Sequence, residues 1–323
     1  MRRILTLIFG LMLASACGNA VAQETNTLKG LRLPGLNSFA APKTQGTLAE
    51  SGGGRIVLSA KLSADGPDIS LGLSWSIFAP EPGPDGKLPL VGSAEGGTSP
   101  FDLKPGEYLM HVAYGRAGAT KRIVVTKEPR NESIVLDAGG MKLGALLPGG
   151  GRIPQALLKF AIYDAREDAK GEQALILPNV TADTIVRLNA GSYHVVSTYG
   201  DVNAVIRSDI RVEAGKLTEA KIEHRAAQVT LKLVREAGGE AIADTAWAVL
   251  TSSGDSVRET VGAFASMVLA EGVYSVVAKN RERIYQREFE VVAGRNADIE
   301  VLTSQAAEAA APAAVAPAAE GAD

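Results

Sequence analysis

Hydrophobic and polar positions alternate along most of this chain. Ile56, Leu58, Ala60 and Leu62 take turns with Val57, Ser59 and Lys61, the period-two pattern of a strand with one covered face, and Asp65-Gly66 supplies a turn after it. Met141, Leu143 and Ala145 start the same pattern again ahead of Gly149-Gly150-Gly151, as do Val229, Leu231 and Leu233 ahead of Gly238-Gly239. No segment between them carries the 3.6-residue period of an amphipathic helix.

The pattern is an internal repeat. Leu103-Lys104-Pro105-Gly106-Glu107-Tyr108, Leu188-Asn189-Ala190-Gly191-Ser192-Tyr193 and Leu269-Ala270-Glu271-Gly272-Val273-Tyr274 are one element at spacings of 85 and 81 residues. Upstream of each, Trp75-Ser76-Ile77, Phe160-Ala161-Ile162 and Trp247-Ala248-Val249 recur at 85 and 87. Turns follow the aromatic strand at Asp85-Gly86, Lys170-Gly171 and Ser253-Gly254. About seven short strands fall in each unit of roughly 85 residues, which predicts an all-β chain of three tandem Ig-like or transthyretin-like β-sandwiches at 53–137, 138–224 and 225–302. Trp75, Phe160 and Trp247 alternate with small residues and are predicted to be core.

The Leu-x-x-Gly-x-Tyr corner and the trailing Val-x-Ala-Gly (Val212 to Gly215 and Val291 to Gly294) resemble the Cna B-type, PEGA and carboxypeptidase regulatory-like family of bacterial exported proteins. The resemblance spans about residues 53 to 302 and implies small sandwiches in tandem, a fold more than a function. Pilin-like members of that family form Lys–Asn crosslinks, which need an inward lysine beside a buried acid. Lys61, Lys142 and Lys232 lie out of phase with the apolar residues of their strands, so no crosslink is expected.

Composition adds the compartment. Arg2 and Arg3 precede the apolar run Ile4 to Ala16, and Ala20-Val21-Ala22 ends it, the layout of a signal peptide over 1–22 with the mature chain starting at Gln23. The run is too short to span a bilayer. The alternative is a loose lipobox, Leu13-Ala14-Ser15-Ala16-Cys17, that would make Cys17 a lipid anchor. Cys17 is the only cysteine, so a chain cut after Ala22 forms no disulfide. Without residues 1–22 the chain has 31 basic and 36 acidic residues, a net charge of −5 that argues against nucleic acid. Residues 23–52 read as a linker or a strap over the first sandwich, and the Ala/Pro-rich tail at 303–323 is expected to be disordered.

Catalytic motifs are missing: there is no His-Glu-x-x-His, no Gly-x-Ser-x-Gly, and Gly215-Lys216 is followed by Leu217 where a phosphate loop needs a hydroxyl. His111, His194 and His224 hold different places in the repeats and read as solvated strand residues, and Asp65, Asp68 and Asp85 as turn aspartates, so neither metal nor cofactor is expected. The fold accounts for the aromatics of the two strand motifs and for Phe101, Phe264 and Phe289. Tyr114 and Tyr199, each followed by glycine six residues past the corner motif's tyrosine, remain as core caps or as a ligand platform. These readings favour a non-catalytic envelope protein, periplasmic or extracellular, acting as a spacer or protein-interaction module. The alternative binds a glycan or peptide through loops or strand edges.

Overall fold

The computed structural model describes residues 53–167 and 169–304. The signal segment, Cys17, the linker and nearly all of the tail lie outside them. The first repeat holds β1 (Gly54–Lys61), β2 (Leu73–Phe78), β3 (Leu90–Gly96), β4 (Ser99–Leu103), β5 (Gly106–Tyr114), β6 (Ala117–Val125) and β7 (Arg130–Val135). The second holds β8 (Ala138–Leu147), the short β9 (Gly151–Arg152), β10 (Leu158–Glu167), β11 (Gln173–Val180), β12 (Ile185–Asn189), β13 (Gly191–Tyr199), β14 (Val205–Val212) and β15 (Leu217–Glu223). The third holds β16 (Ala226–Val234), β17 (Thr245–Thr251), β18 (Ser256–Val261), β19 (Phe264–Ala270), β20 (Gly272–Asn280), β21 (Arg283–Val291) and β22 (Ala297–Leu302). Helical structure among the described residues is limited to two three-residue 3-10 turns, Pro148–Gly150 and Gln155–Leu157.

Each repeat is a sandwich of a three-stranded and a four-stranded sheet, ordered β4-β1-β7 over β3-β2-β5-β6 in the first, β12-β8-β15 over β11-β10-β13-β14 in the second, and β19-β16-β22 over β18-β17-β20-β21 in the third. Pairing is antiparallel except that the first and last strands of every repeat run parallel, as Ile56 beside Arg130, Met141 beside Thr218 and Val229 beside Ala297. That exception sets the architecture. A last strand parallel to the first leaves the sandwich at the end opposite to the chain's entry, so the next repeat must follow end to end. Leu136 and Asp137 alone separate β7 from β8, and His224 and Arg225 alone separate β15 from β16.

The alternating strands put their apolar face between the sheets: Trp75, Phe160 and Trp247 are at most 2% exposed, and the Trp75 and Trp247 indoles donate to the carbonyls of Gly97 and Gly262. The cores continue across the joints. Ala138 belongs to the first core, Ala226 and Val268 of the third repeat belong to the second, and Val202 of the second packs on the third. Lys142 and Lys232 lie on the outer side as expected, half-covered by ion pairs with Asp183 and Glu219, and with Glu300.

Two expectations are corrected. Phe264 is not taken up by the core: it opens β19 at 61% exposure, beside Val261 at 72%, because it stands at the corner between the two sheets. His224 is not solvated. It occupies the joint position held by Leu136 in the first repeat, and its Nε2 lies 2.7 Å from the hydroxyl of Ser197, both groups buried.

Burial lowers the His224 pKa below the ordinary 6.5, so the folded form holds a neutral ring and unfolding lets it take up a proton. The stability this gives is present above about pH 6.5 and declines as pH falls through the folded-state pKa. A scan of thermal midpoint against pH should show that acid-side loss. Copying the Val112 and Leu136 of the first repeat as Ser197→Val with His224→Leu should remove it at little cost in stability, since both hydrogen-bonding partners go together. Trp247→Ala should cost about 3–5 kcal/mol through lost burial and a cavity, read as a lowered unfolding transition of the third repeat with the first unchanged.

Candidate functional site

The corner motif explains where one repeat meets the next. In all three copies the tyrosine hydroxyl donates to the carbonyl four residues back: Tyr108 to Lys104 at 2.9 Å, Tyr193 to Asn189 at 2.8 Å and Tyr274 to Ala270 at 2.9 Å. The corner is thereby pinned as a firm surface at the entry end of its sandwich, comparable to a tyrosine corner. In the second and third repeats that surface receives the hairpin from the exit end of the repeat before it.

An asparagine clasps each joint, from opposite sides. At the first, Asn189 of the corner donates to the carbonyls of Gly118 (3.1 Å) and Leu136 (2.8 Å) and accepts from the Gly118 amide (3.2 Å). At the second, Asn203 of the β13–β14 hairpin accepts from the Ala270 amide and donates to the Tyr274 hydroxyl, both at 2.9 Å. Ala270 is the counterpart of Asn189, whereas Asn203 lies in a turn two residues longer than that of the first hairpin, where Val205, opposite Thr198, takes the place that Gly118 holds opposite Ala113. At both joints the corner residue after the motif leucine meets the hairpin of the preceding repeat, with the asparagine on the corner at the first and on the longer hairpin turn at the second.

Tyr114 and Tyr199 sit at the base of these hairpins. Tyr199 is 2% exposed, within the second core and edge-on to His224. Tyr114 is half-buried, with the Arg187 guanidinium of the second repeat 4.3 Å over its ring. Tyr199 therefore offers no ring face to a ligand, and Tyr114 has one face taken by Arg187. The glycine after each is demanded by geometry. Gly115 and Gly200 have φ of 66° and 76°, and a Cβ on Gly200 would lie 2.6 Å from that of Val268 across the joint.

The first joint encloses a cleft of about 630 Å³. Its floor is the outer face of the β5–β6 pair, where His111 lies opposite Thr120 and Ala113 opposite Gly118. Its wall is the entry end of the second repeat, with Asp164 and Arg166 of β10, Leu175 and Ile176 of β11, and the corner from Asn189 to Tyr193. The Asp164 carboxylate accepts from the Arg166 side chain at 3.1 and 3.2 Å, which lowers its pKa, and burial lowers that of His111, whose Nδ1 lies 2.9 Å from the Thr120 hydroxyl. Arg116 also lines the cleft, and its side chain has no ion pair or hydrogen bond among the described residues. No three metal-ligating side chains gather among the described residues. The buried Ser197–His224 pair has a hydroxyl and an imidazole in reach, but it is sealed from substrate. Sequence reasoning missed the cleft because its walls come from two repeats.

Residues 228–303 match the model of the Rhizobiales growth-associated tandem repeat domain, a stretch that falls on the third repeat. No curated protein matches the chain. Among solved structures, the chain is similar to the Bacillus anthracis TIE protein (14% identity, TM-score 0.24), covering 78% of this chain and 50% of that one, so it spans about half that protein's length. A streptococcal ancillary pilin shares 11% identity at a TM-score of 0.30, with 77% and 98% covered. The major pilin subunit of Bacillus cereus shares 10% at 0.21, with 77% and 99% covered. At these scores neither ligand nor assembly carries over, and the fold rests on the strand pairing above.

Asn189→Ala and Asn203→Ala should each loosen one joint. We expect about 1–3 kcal/mol lost from partly buried groups left unpaired, and a broadened interdomain distance distribution in small-angle scattering. Gly200→Ala should be worse than Asn203→Ala, because left-handed strain of about 1–2 kcal/mol adds to the clash with Val268.

Proposed function

We propose that this chain is a non-catalytic exported envelope protein that serves as a stiff spacer or protein-interaction module. The observation that carries this reading is the joint. Two-residue connections, continuous apolar packing and an asparagine clasp hold each repeat to the next with little freedom to bend. The signal-like segment at 1–22 supports export to the periplasm or beyond, and a lipid on Cys17 is the alternative attachment.

The last hairpin among the described residues is less suited than the first two to receive another copy. Asn280 and Arg281 stand where the two joined hairpins have Tyr-Gly, and Arg281 takes the same left-handed turn at φ 55°. Its turn has the length of the first hairpin's, where a Cβ on Gly115 would come within 3.1 Å of the Cβ of Arg187 in the next repeat, so the Arg281 side chain projects to a place that is crowded at a joint.

Two measurements test the reading. Fractionation with intact-mass analysis should find the chain outside the cytoplasm, starting at Gln23 or at an acylated Cys17; a cytoplasmic chain that keeps Met1 would refute export. Scattering from residues 23–323 should report an elongated monomer with an invariant length across protein concentrations, and a folded-back or polymerising particle would refute the spacer.

A further inference from the structure

The two joints share one plan and differ in one charge. At the second, Asp201 of the β13–β14 hairpin pairs with Arg258 on edge strand β18 at 3.0 Å. At the first joint, in a hairpin two residues shorter, the residue that likewise follows the left-handed glycine is Arg116. The strand position that matches Arg258 is Leu177, since Val249 faces Arg258 as Ile162 faces Leu177. The first joint thus keeps a charge on its hairpin and has a leucine in place of the counter-ion. Arg116 is half-buried and lines the cleft.

The floor differs in the same direction. The facing pair Ala113 and Gly118 at the first joint corresponds to the larger facing pair Thr198 and Val205 at the second. One joint is filled and internally neutralised, whereas the other is open and holds an unpaired guanidinium that an incoming carboxylate would match with charge-assisted hydrogen bonds. Asp164 does not oppose such a ligand, because Arg166 already neutralises it.

We propose that this cleft binds an extended peptide bearing a carboxylate, with the acid on Arg116 and an aliphatic side chain against Leu175 and Ile176. Leu175 is 52% exposed beside the opening. β11 is the outermost strand of its sheet, so its free edge offers main-chain donors and acceptors to a segment laid along it. A sugar acid fits less well. Tyr193 is the one tyrosine in the lining, and as a residue 9% exposed with its hydroxyl on the Asn189 carbonyl it offers no face for stacking.

The test is an NMR titration of isotope-labelled residues 23–323 with the probe acetyl-Ala-Leu-Ala-Glu-Leu-amide, the same peptide with Gln for Glu, and trigalacturonate. The acidic peptide should shift the amides of Gly115, Gly118, Leu175 and Ser192, and both the Gln peptide and Arg116→Gln should weaken binding about tenfold. Arg116→Asp, which puts the charge of Asp201 at that place and leaves the core untouched, should abolish binding while leaving thermal unfolding unchanged, which separates lost affinity from a lost fold. The proposal is overturned by absence of shifts up to about 5 mM peptide, by equal binding of the Glu and Gln peptides, by insensitivity to either Arg116 variant, or by a response to trigalacturonate alone. None of those outcomes bears on export or on the length of the particle, so the spacer reading is tested separately.

Discussion

The hydrogen bond from the corner tyrosine to the carbonyl four residues back is the constraint on which the rest of the arrangement depends. Without it the Leu-x-x-Gly-x-Tyr segment would be an ordinary connection between sheets, free to adopt many turns. With the ring buried and its hydroxyl bound, the residue directly after Leu is held at a defined place on the entry face. That residue, Asn189 or Ala270, is what the preceding hairpin meets. One bond inside a repeat thus determines the geometry between repeats.

Parallel pairing of the first and last strands does the complementary work. It delivers the chain to the far end of each sandwich, and the two-residue connections are too short to let the next repeat swing aside. Burial of the first connecting residue strengthens this. Leu136 is inserted in the first core, and His224 is bound to Ser197 in the second. A connection with its own side chain in the core cannot act as a hinge without exposing that side chain, so stiffness follows from packing as much as from the clasp.

The sandwiches were legible because their signals are local and periodic. Alternation located the strands, and burial of Trp75, Phe160 and Trp247 follows from the small residues beside them. The clasp was not legible, because its two asparagines sit at different positions of the repeat. Asn189 stands where the other copies have Lys104 and Ala270, and Asn203 lies in the two extra turn residues of the second hairpin, which the other copies lack, so neither stands out as part of the repeat. Phe264 was misread since its strand pattern says nothing about the sheet corner that leaves it uncovered, and His224 since the register that puts it beside Ser197 is long-range.

A joint that is built twice invites comparison between its two versions, and the comparison separates what the joint requires from what it merely carries. Both versions keep the pinned tyrosine, the left-handed glycine and one asparagine, so these are requirements of docking. Only the second version fills its floor and pairs its hairpin charge. The first is held without either, since Asn189 makes three hydrogen bonds and Arg187 covers Tyr114. The open floor and unpaired Arg116 are therefore not needed to hold the repeats in line. A half-buried charge without a partner lowers stability and contributes nothing to docking, and that is the physical ground for assigning the first joint a ligand and the second only a structural role.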